Sequence, residues 1–270
     1  MERIEALTDH YTIRNEDLRF STRHGSVEFL TTVHYVEKYL FGGARILEIG
    51  AGSGRYSHYF AMKGYEVDAI ELVPHNIDIF NANTQPGEKI TIRQGDAVNL
   101  EGVPSDTYDI TLLLGPMYHL YSEGDMRDAM SEAVRVTKPG GVVFAAYMSN
   151  DAVALYTGFM RGLFEDGTHD HLIDFDTFKL RSTPEEVFSM VRREEIDELM
   201  DSFDVERLNF VGTDMLTEYF SERVNSMSDK LFDLYMKYHL TVCERSDMVG
   251  LSSHLLDIFR KKQEAVYERT

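Results

Sequence analysis

Residues 45–55 read Arg-Ile-Leu-Glu-Ile-Gly-Ala-Gly-Ser-Gly-Arg, a short apolar run followed by three glycines at alternate positions. The apolar run predicts a buried strand, and the residues from Arg55 onward predict a helix. Glycines between a strand and a helix let the backbone turn sharply and approach a ligand with no Cβ in the way. The following helix offers unpaired N–H groups at the same point. We therefore predict a ligand-binding turn here.

Short apolar runs continue after this turn in alternation with helical periods, which predicts an open, doubly wound α/β sheet. In the first half we predict further strands over residues 67–70, 90–93, 109–114 and 142–147, with a hard turn at 138–141 before the last of them. In the second half we predict a sixth strand over 205–211 and a final strand over 254–259.

Three helices outside this alternation are also predicted. Ser26 is the expected cap of a helix over 26–40, which Gly42 and Gly43 stop. Thr183-Pro184-Glu185-Glu186 reads as a capping box with proline at the first helical position, and predicts a helix to about residue 203. A long amphipathic helix is expected over about 214–244, with a break near 226–228.

Composition excludes several classes of protein. A net charge of −19 argues against a non-specific nucleic-acid binder and against an anionic membrane surface as partner. A single cysteine rules out an intrachain disulfide and a cysteine-based zinc site. No signal-peptide core and no apolar run of about 18 residues is visible, so the expectation is a soluble, cytoplasmic protein.

Two acidic residues follow later strands at informative positions. Glu71 ends the second strand, where a carboxylate can accept hydrogen bonds from two ribose hydroxyls. Asp96, in Gly95-Asp96-Ala97, is expected beside an adenine amino group. The dinucleotide fingerprint G-x-G-x-x-G/A fits poorly, because Arg55 or Ser57 takes the place of its last glycine. A dinucleotide cofactor is therefore disfavoured.

The pattern E-x-G-x-G-x-G, with its acid at Glu48, resembles motif I of the class I S-adenosylmethionine-dependent methyltransferases. The likeness covers roughly residues 43–147, and its specificity comes from several landmarks in the same order. After motif I these are Glu71, Gly95-Asp96-Ala97, Tyr108-Asp109 and Val136-Thr137-Lys138-Pro139-Gly140-Gly141.

The resemblance implies a role for each motif position. Glu48 would anchor the glycine loop and the methionine end of S-adenosyl-L-methionine, Glu71 with Leu72 would hold the ribose, and Asp96 with Ala97 the adenine. The remaining positions expected against the cofactor are Gly50, Ala51, Gly52, Gly54, Leu114 and Gly115.

The resemblance also implies the architecture, a Rossmann-like doubly wound seven-stranded sheet whose last strand is antiparallel. We expect an N-terminal helical lid at 1–43 and the cofactor-binding core at 44–150. Helical insertions forming a substrate cap are expected at 151–203 and 212–250, with the last strands at 204–211 and 251–262.

The methyl acceptor is expected near Tyr118 and His119, which follow the fourth strand. His119 has the chemistry of a general base for a hydroxyl or an amine, and packing beside the cofactor is the open alternative. Within the lid, Arg23 or Arg19 is expected to pair with the methionine carboxylate. Other lid residues expected near the ligands are Tyr11, Phe20, His24, Glu28 and Phe29.

The predicted function is methyl transfer to a small-molecule acceptor, in a chain resembling the ubiquinone- and menaquinone-biosynthesis branch. An acidic surround favours a neutral or cationic acceptor. The open alternatives are a nicotinamide-dependent oxidoreductase, a non-catalytic cofactor-binding scaffold and an RNA methyltransferase. His169, His171 and Asp174 resemble metal ligands, but a solvated loop is the expected interpretation, and no metal is expected.

Overall fold

The computed structural model describes residues 3–13 and 20–263. The predicted strands of the first half are confirmed, because each apolar run lies in a central sheet. The strands of the described residues are β1 (Arg45–Ile49), β2 (Glu66–Glu71), β3 (Ile90–Gln94), β4 (Tyr108–Leu113), β5 (Thr137–Ser149), β6 (Ile173–Asp174), β7 (Lys179–Leu180), β8 (Met190–Val191), β9 (Val205–Gly212) and β10 (His254–Lys261).

The main sheet has the strand order β3-β2-β1-β4-β5-β10-β9, and the two-residue β8 pairs with β5. Strands β1 to β5 run parallel, with Ile46 opposite Val67 and Ile110 in the two neighbouring strands. β10 is antiparallel to both β5 and β9. The seven long strands and their antiparallel last member confirm the predicted fold class. β6 and β7 form a separate hairpin.

Helices flank the sheet on both faces. Those of the described residues are α1 (Arg3–Ile13), α2 (Arg23–Glu37), α3 (Arg55–Met62), α4 (Pro74–Asn83), α5 (Glu123–Val136), α6 (Asn150–Val153), α7 (Arg193–Met200), α8 (Ser221–Asn225) and α9 (Asp229–Val242). Shorter 3-10 turns include Pro116–His119 after β4, Pro184–Glu186 before β8 and Met215–Phe220 after β9, and a π-helical segment covers Ala154–Met160.

The core consists of two apolar layers, one on each face of the sheet. Alternate strand residues point to opposite faces: Leu47 and Ala145 face the layer under α5 and α7, whereas Ile46 and Phe144 face the layer under α2 and α3. Burial on both faces explains why these strands read as continuous apolar runs in the sequence. The sheet edge that carries the strand C-termini is thus held rigidly from both sides.

The predicted helix over 184–203 is wrong in its first half. Only Pro184–Glu186 form a turn, because Val187 adopts a φ of +68° and breaks the helical path. The chain then runs extended, with the Ser189 N–H donating to the Tyr118 carbonyl at 2.6 Å and Met190 pairing with Met148 of β5. Tertiary pairing has overridden the local capping signal.

Three other boundaries differ from the prediction. The cap of α2 is Thr22, which accepts from the Gly25 N–H at 3.2 Å, so the helix begins at Arg23 and not near Ser26. The predicted turn over 138–141 is an irregularity inside β5, where Gly140 adopts a φ of +82°. The expected helix over 214–244 begins as a 3-10 turn, but its break near 226–228 is confirmed, because Ser228 caps α9.

Candidate functional site

A cleft opens at the carboxyl ends of β1, β2 and β4, the edge of a doubly wound sheet where ligands bind. The structure brings most of the predicted site residues together there. Among the described residues that line the cleft, those predicted from the motifs are Glu48, Gly50, Ala51, Gly52, Glu71, Leu72, Asp96, Ala97, Leu114, Gly115, Tyr118 and His119.

The glycine loop forms one wall of the cleft, and each of its three glycines meets a different conformational or steric requirement. Gly50 adopts a φ of +74°, and a Cβ on it would lie 2.5 Å from Cδ of Pro116, so the two loops approach as closely as glycine allows. Gly52 adopts a φ of +55°, and a Cβ there would meet no atom within 4 Å. Gly54 is not among the lining residues: it caps α3, and a Cβ on it would meet Phe80. Only the first part of the motif therefore faces the cleft.

Glu71 joins the glycine loop to the loop that follows β2. Its Oε2 accepts from the Gly52 N–H at 2.8 Å and its Oε1 from the Val73 N–H at 2.9 Å. Asn76 donates to Oε1 at 3.3 Å. Burial raises the pKa of this carboxyl, whereas these N–H donors act in the opposite direction. The two oxygens retain lone pairs that can accept from ligand hydroxyls.

Glu48 holds the start of α3 from beneath the cleft. Its Oε2 accepts from the Ser57 N–H at 2.9 Å and from the Ser57 hydroxyl. Burial raises the pKa of this carboxyl to about 8, although the hydrogen bonds from Ser57 lower it. The geometry supports the expected anchoring of the glycine loop, because the first turn of α3 is fixed to β1.

Asp96 lies at the opposite end of the cleft and is covered by the N-terminal helix. Arg3 of α1 forms an ion pair and hydrogen bond with Asp96 Oδ2, and the Val98 N–H donates to Oδ1 at 3.3 Å. Sequence reasoning missed Arg3, which lies at the start of an amphipathic segment without any motif. The cation occupies one oxygen of the carboxylate expected beside adenine.

His119 connects the same helix to the middle of the cleft. Its Nδ1 lies 2.8 Å from the Val187 carbonyl and its Nε2 lies 2.7 Å from the Tyr11 hydroxyl. Because a carbonyl only accepts, Nδ1 carries the proton and Nε2 accepts from Tyr11. This arrangement uses both ring nitrogens to hold α1 and the 187–191 segment together, so it favours a structural role for His119 over proton abstraction.

Arg23 does not reach the cleft, which corrects its prediction as a partner of the methionine carboxylate. It pairs with Asp229 and the Met227 carbonyl at the start of α9, with its guanidinium carbon 5.6 Å from the Phe232 ring centroid. Arg19 lies outside the described residues. Arg55 lines the cleft instead, stacked 5.0 Å from the Phe29 ring centroid. Its position as the first residue of α3 was the signal that could have identified it.

The donor set fits a nucleoside that carries a cationic tail. Four acidic side chains line the cleft (Glu28, Glu48, Glu71 and Asp96), against two guanidinium groups, of which Arg3 is already paired with Asp96. Glu48 holds a proton at neutral pH, because burial raises its pKa to about 8. A pyrophosphate would need a surplus of cations and N–H donors, whereas a sulfonium and an ammonium group are favoured by acids. The space beside Gly52 is open and adjoins Glu71, so a ribose has room next to the carboxylate that would accept from its hydroxyls.

The described residues form neither a metal-binding cluster nor a membrane-spanning helix. No group of three or more His, Cys, Asp or Glu side chains is arranged to hold a metal ion within them, and this includes His169 and His171. No helix in that part of the chain combines the length and apolar character needed to cross a membrane.

The chain is similar to known proteins across this site. Residues 47–145 match a family model described as a methyltransferase domain. An S-adenosyl-L-methionine-dependent Diels-Alderase from Talaromyces variabilis is 31% identical over 103 residues, which is 37% of this chain and 34% of that protein. A ubiquinone biosynthesis O-methyltransferase from Methylocella silvestris is 30% identical over 155 residues, which is 55% of this chain and 59% of that protein.

The structural likeness extends further than the sequence likeness. A crystal structure described as a SAM-dependent methyltransferase from Methanosarcina mazei superposes with a TM-score of 0.55 at 17% identity, covering 85% of this chain and 98% of that one. At this identity the likeness concerns the fold alone. The chain spans about a third to three fifths of the length of the first curated relatives it matches.

Proposed function

We propose that this chain is a class I S-adenosylmethionine-dependent methyltransferase that transfers a methyl group from S-adenosyl-L-methionine to a small-molecule acceptor. The match of residues 47–145 to a methyltransferase-domain model and the similarity to a ubiquinone biosynthesis O-methyltransferase support this proposal. The family and the fold imply S-adenosyl-L-methionine as the cofactor. It supplies a methyl group on a cationic sulfur. The transfer itself is an in-line displacement, in which positioning and exclusion of water carry much of the catalysis.

One observation carries this proposal: the buried Glu71 carboxylate at the end of β2, bonded to the N–H groups of Gly52 and Val73 and lining the same cleft as the glycine loop. A carboxylate held from two loops is preorganised to accept from paired ribose hydroxyls. In the proposed pose Asp96 and Ala97 contact the adenine, whereas Leu114 and Gly115 flank the methionine chain. We propose that the Arg55 guanidinium pairs with the carboxylate of the methionine chain.

The helix α1 is proposed to act as a lid over this pose. It contacts both ends of the cleft through Arg3 and Tyr11, and Leu7 packs with Val73 and Val187. These contacts support an N-terminal lid within 1–43. We propose in addition a cofactor-binding core at 44–150 and a substrate cap formed by 151–203 and 212–250. A closed lid keeps water from the reacting methyl group.

The acceptor is proposed to be a small molecule, neutral or cationic. The acidic cleft disfavours an anionic acceptor, and one of the similar proteins is named as an O-methyltransferase of ubiquinone biosynthesis. We therefore propose that the atom receiving the methyl group is an oxygen. The excess of acids over guanidinium groups among the described lining residues disfavours both a dinucleotide cofactor and a nucleic-acid substrate.

Calorimetric titration with S-adenosylhomocysteine tests the proposal through Glu71. We expect wild-type protein to bind the ligand at a single site, and Glu71→Gln to bind it about 1–3 kcal/mol more weakly, the usual loss for a charged hydrogen-bond partner. Glu101→Gln, which changes an exposed acid outside the cleft, is the matched control and should bind like wild type. Equal affinities for wild type and Glu71→Gln would mean that the ribose lies elsewhere.

A second candidate function follows from the likeness to a protein named as an S-adenosyl-L-methionine-dependent Diels-Alderase. Under this alternative the cofactor stays intact in the same cleft, and the bound molecule beside it rearranges without gaining a methyl group. Cofactor consumption separates the two functions, because only methyl transfer produces S-adenosylhomocysteine in step with product. Product of unchanged composition formed without S-adenosylhomocysteine would favour the alternative.

A further inference from the structure

A second cavity lies on the face of the sheet that α5 and α7 cover, and it is separate from the cofactor cleft. Its volume is about 280 Å³, and an apolar cavity of about 150 Å³ is enough to hold a benzene-sized ring. None of its described lining residues also lines the cleft. They are Tyr121, Glu123, Met126, Tyr147, Lys179, Leu180, Ser182, Ser189, Met190, Val191, Glu195, Ile196, Glu198 and Leu199.

The base of the second cavity is apolar and is built on the central sheet. Val191, Ile196 and Leu199 line the cavity and also pack in the buried layer under α5 and α7. Tyr147 of β5 belongs to the same layer, and its backbone pairs with Leu255 of β10. Because this backbone lies within the sheet, Tyr147 lines the cavity through its side chain, whose hydroxyl is the atom farthest from the strand.

The Tyr147 hydroxyl is a buried donor for which the fold supplies no acceptor. The residue is 1% exposed, and no hydrogen-bond partner reaches its hydroxyl within the described part of the chain. Burial raises the pKa of this phenol well above its usual range, so the hydroxyl keeps its proton and remains a donor. A buried donor without an acceptor destabilises a fold. A ligand that brings an acceptor into the cavity removes this cost.

The charged residues of the second cavity restrict the charge of its ligand. Glu123, Glu195 and Glu198 are exposed, and Lys179 is the one basic residue among the described lining residues. Lys179 is bonded to Glu195 and to the Met190 carbonyl, the latter at 3.0 Å. Three acids against one paired lysine disfavour an anionic ligand, whereas an ammonium group has no lone pair to accept from a hydroxyl. A neutral acceptor such as a carbonyl oxygen satisfies both conditions.

One wall of the second cavity is the extended segment 187–191, which also contacts the lid helix α1. Three residues of this segment line the cavity. The Val187 carbonyl accepts from the Tyr121 hydroxyl at 2.7 Å and from His119 Nδ1 at 2.8 Å, and the Val187 side chain packs with Leu7 of α1. Val187 adopts a φ of +68°, which a β-branched residue retains only where the surrounding contacts impose it. The position of this segment therefore affects both the cavity and the lid.

We propose that the second cavity is a regulatory site for a small neutral carbonyl compound with an apolar body, anchored by the Tyr147 hydroxyl. The bound molecule fills the space behind residues 189–191 and holds Val187 where His119 meets it. Because His119 also contacts Tyr11 of α1, the ligand stabilises the closed lid and the cofactor beneath it. Binding in the second cavity does not depend on methyl transfer, and only its effect on the lid rests on the proposed function.

Two probes of matched shape test the anchor. Acetophenone carries a carbonyl oxygen, and α-methylstyrene has a CH2 group in its place. In protein with 13C-labelled methionine methyl groups, Met126 and Met190 of the cavity report binding by NMR. The preference for acetophenone over α-methylstyrene should be about 3- to 10-fold greater on wild type than on Tyr147→Phe, as for a net hydrogen bond. Tyr238→Phe, which changes an exposed tyrosine outside both cavities, should keep the wild-type preference.

Thermal unfolding without ligand checks that the Tyr147 hydroxyl has no structural partner. Tyr147→Phe keeps the ring and removes a buried donor that lacks an acceptor, so it should unfold at the same temperature as wild type or at a higher one. A lower unfolding temperature would mean that the fold already uses this hydroxyl, and would overturn its role as an anchor.

The affinity for S-adenosylhomocysteine tests the regulatory part. Saturating acetophenone should tighten its binding to wild type several-fold, and S-adenosylhomocysteine should tighten acetophenone binding by the same factor, because coupling between two sites is reciprocal. Tyr11→Phe removes the contact between α1 and His119 outside the second cavity. This variant should bind acetophenone like wild type but show a smaller coupling.

The remaining outcomes each overturn a defined part. Failure of both probes to bind, or equal preferences on wild type and Tyr147→Phe, would refute the site. Acetophenone binding that leaves the affinity for S-adenosylhomocysteine unchanged would refute regulation. A protein that binds acetophenone but not S-adenosylhomocysteine would overturn the proposed function while leaving the second cavity as a binding site.

Discussion

Glu48 and Glu71 end their strands at the same cleft but have different partners. Glu71 accepts from backbone N–H groups of two loops and lies where a ligand can reach it. Glu48 is bonded to Ser57 in the first turn of α3. The first geometry suits recognition of a ligand, and the second suits fixing the loop that the ligand contacts.

Glu48 makes the stability of the fold depend on pH. Its pKa is raised by burial from 4.5 to about 8 in the folded protein. Between these values the folded state holds a proton that the unfolded state releases. The stabilisation is therefore complete below the unfolded pKa and is lost as the pH rises through the folded one. We expect the free energy of unfolding, from urea titration, to fall across this window by on the order of 5 kcal/mol, at about 1.4 kcal/mol per pKa unit.

The variant Glu48→Gln isolates this effect. It keeps an oxygen acceptor for Ser57 but cannot titrate, so its unfolding free energy should lack the component of the fall that Glu48 causes. Glu101→Gln, in which an exposed acid is replaced, should retain the wild-type slope. Parallel slopes for wild type and Glu48→Gln would mean that the Glu48 carboxyl is ionised throughout.

The site residues of the first half could be predicted because the position of each follows from the strand that precedes it in the sequence. The glycines follow β1, Glu71 is the last residue of β2 and Asp96 lies two residues after β3, so the position of each strand fixes the position of the residue. The prediction for Arg23 was wrong because the partners of this residue, Met227 and Asp229, lie more than two hundred residues later in the chain. The contact of His254 Nδ1 with Asp214 Oδ2, at 2.7 Å, went unnoticed for the same reason, since it joins the end of β9 to the start of β10.

At the scale of elements, α1 is the part of the molecule whose position most affects access to the cleft. Arg3 and Tyr11, near its two ends, hold Asp96 and His119 respectively. Releasing either contact should let the helix open more often. We expect Arg3→Gln and Tyr11→Phe each to raise the dissociation rate of S-adenosylhomocysteine several-fold, with a smaller effect on association.

Surface plasmon resonance measures both rates directly. Asp9→Asn changes an exposed residue of the same helix and serves as the control for a change in α1 that leaves both contacts intact. If dissociation is the same in wild type, Arg3→Gln and Tyr11→Phe, then α1 does not close over the bound ligand.

Strands were predicted more accurately than helices, for a physical reason. β1 and β4 are buried on both faces and read as unbroken apolar runs, whereas the second half depends on contacts that local sequence does not encode. Thr183-Pro184-Glu185-Glu186 has every feature of a helix start. Yet the hydrogen bond from Ser189 to Tyr118 and the pairing of Met190 with Met148 keep the following residues extended.

At the scale of the whole molecule, the excess of acidic over basic residues is found in the lining of the cleft as well as in the overall composition. The net charge is −19, and acids line the cleft. Such a field attracts cations and raises the cost of bringing in an anion. The preference for a neutral or cationic acceptor stays a prediction from composition, and the structure adds where the acids lie.

The topology of the last strand brings distant parts of the chain to one edge of the sheet. The parallel strands β1, β2 and β4 end at the cleft, and the antiparallel β10 begins at the same edge, so the ring centroid of His254 lies 5.8 Å from that of Tyr118. β10 thereby places a residue from the end of the chain beside a cleft built by its first half.

A crystal structure with S-adenosylhomocysteine bound tests the central claim most directly. The account predicts both ribose hydroxyls on Glu71, the adenine beside Asp96 and Ala97, and the sulfur directed toward Tyr118. A ligand bound outside the cleft, or one in the cleft whose ribose makes no contact with Glu71, would contradict it.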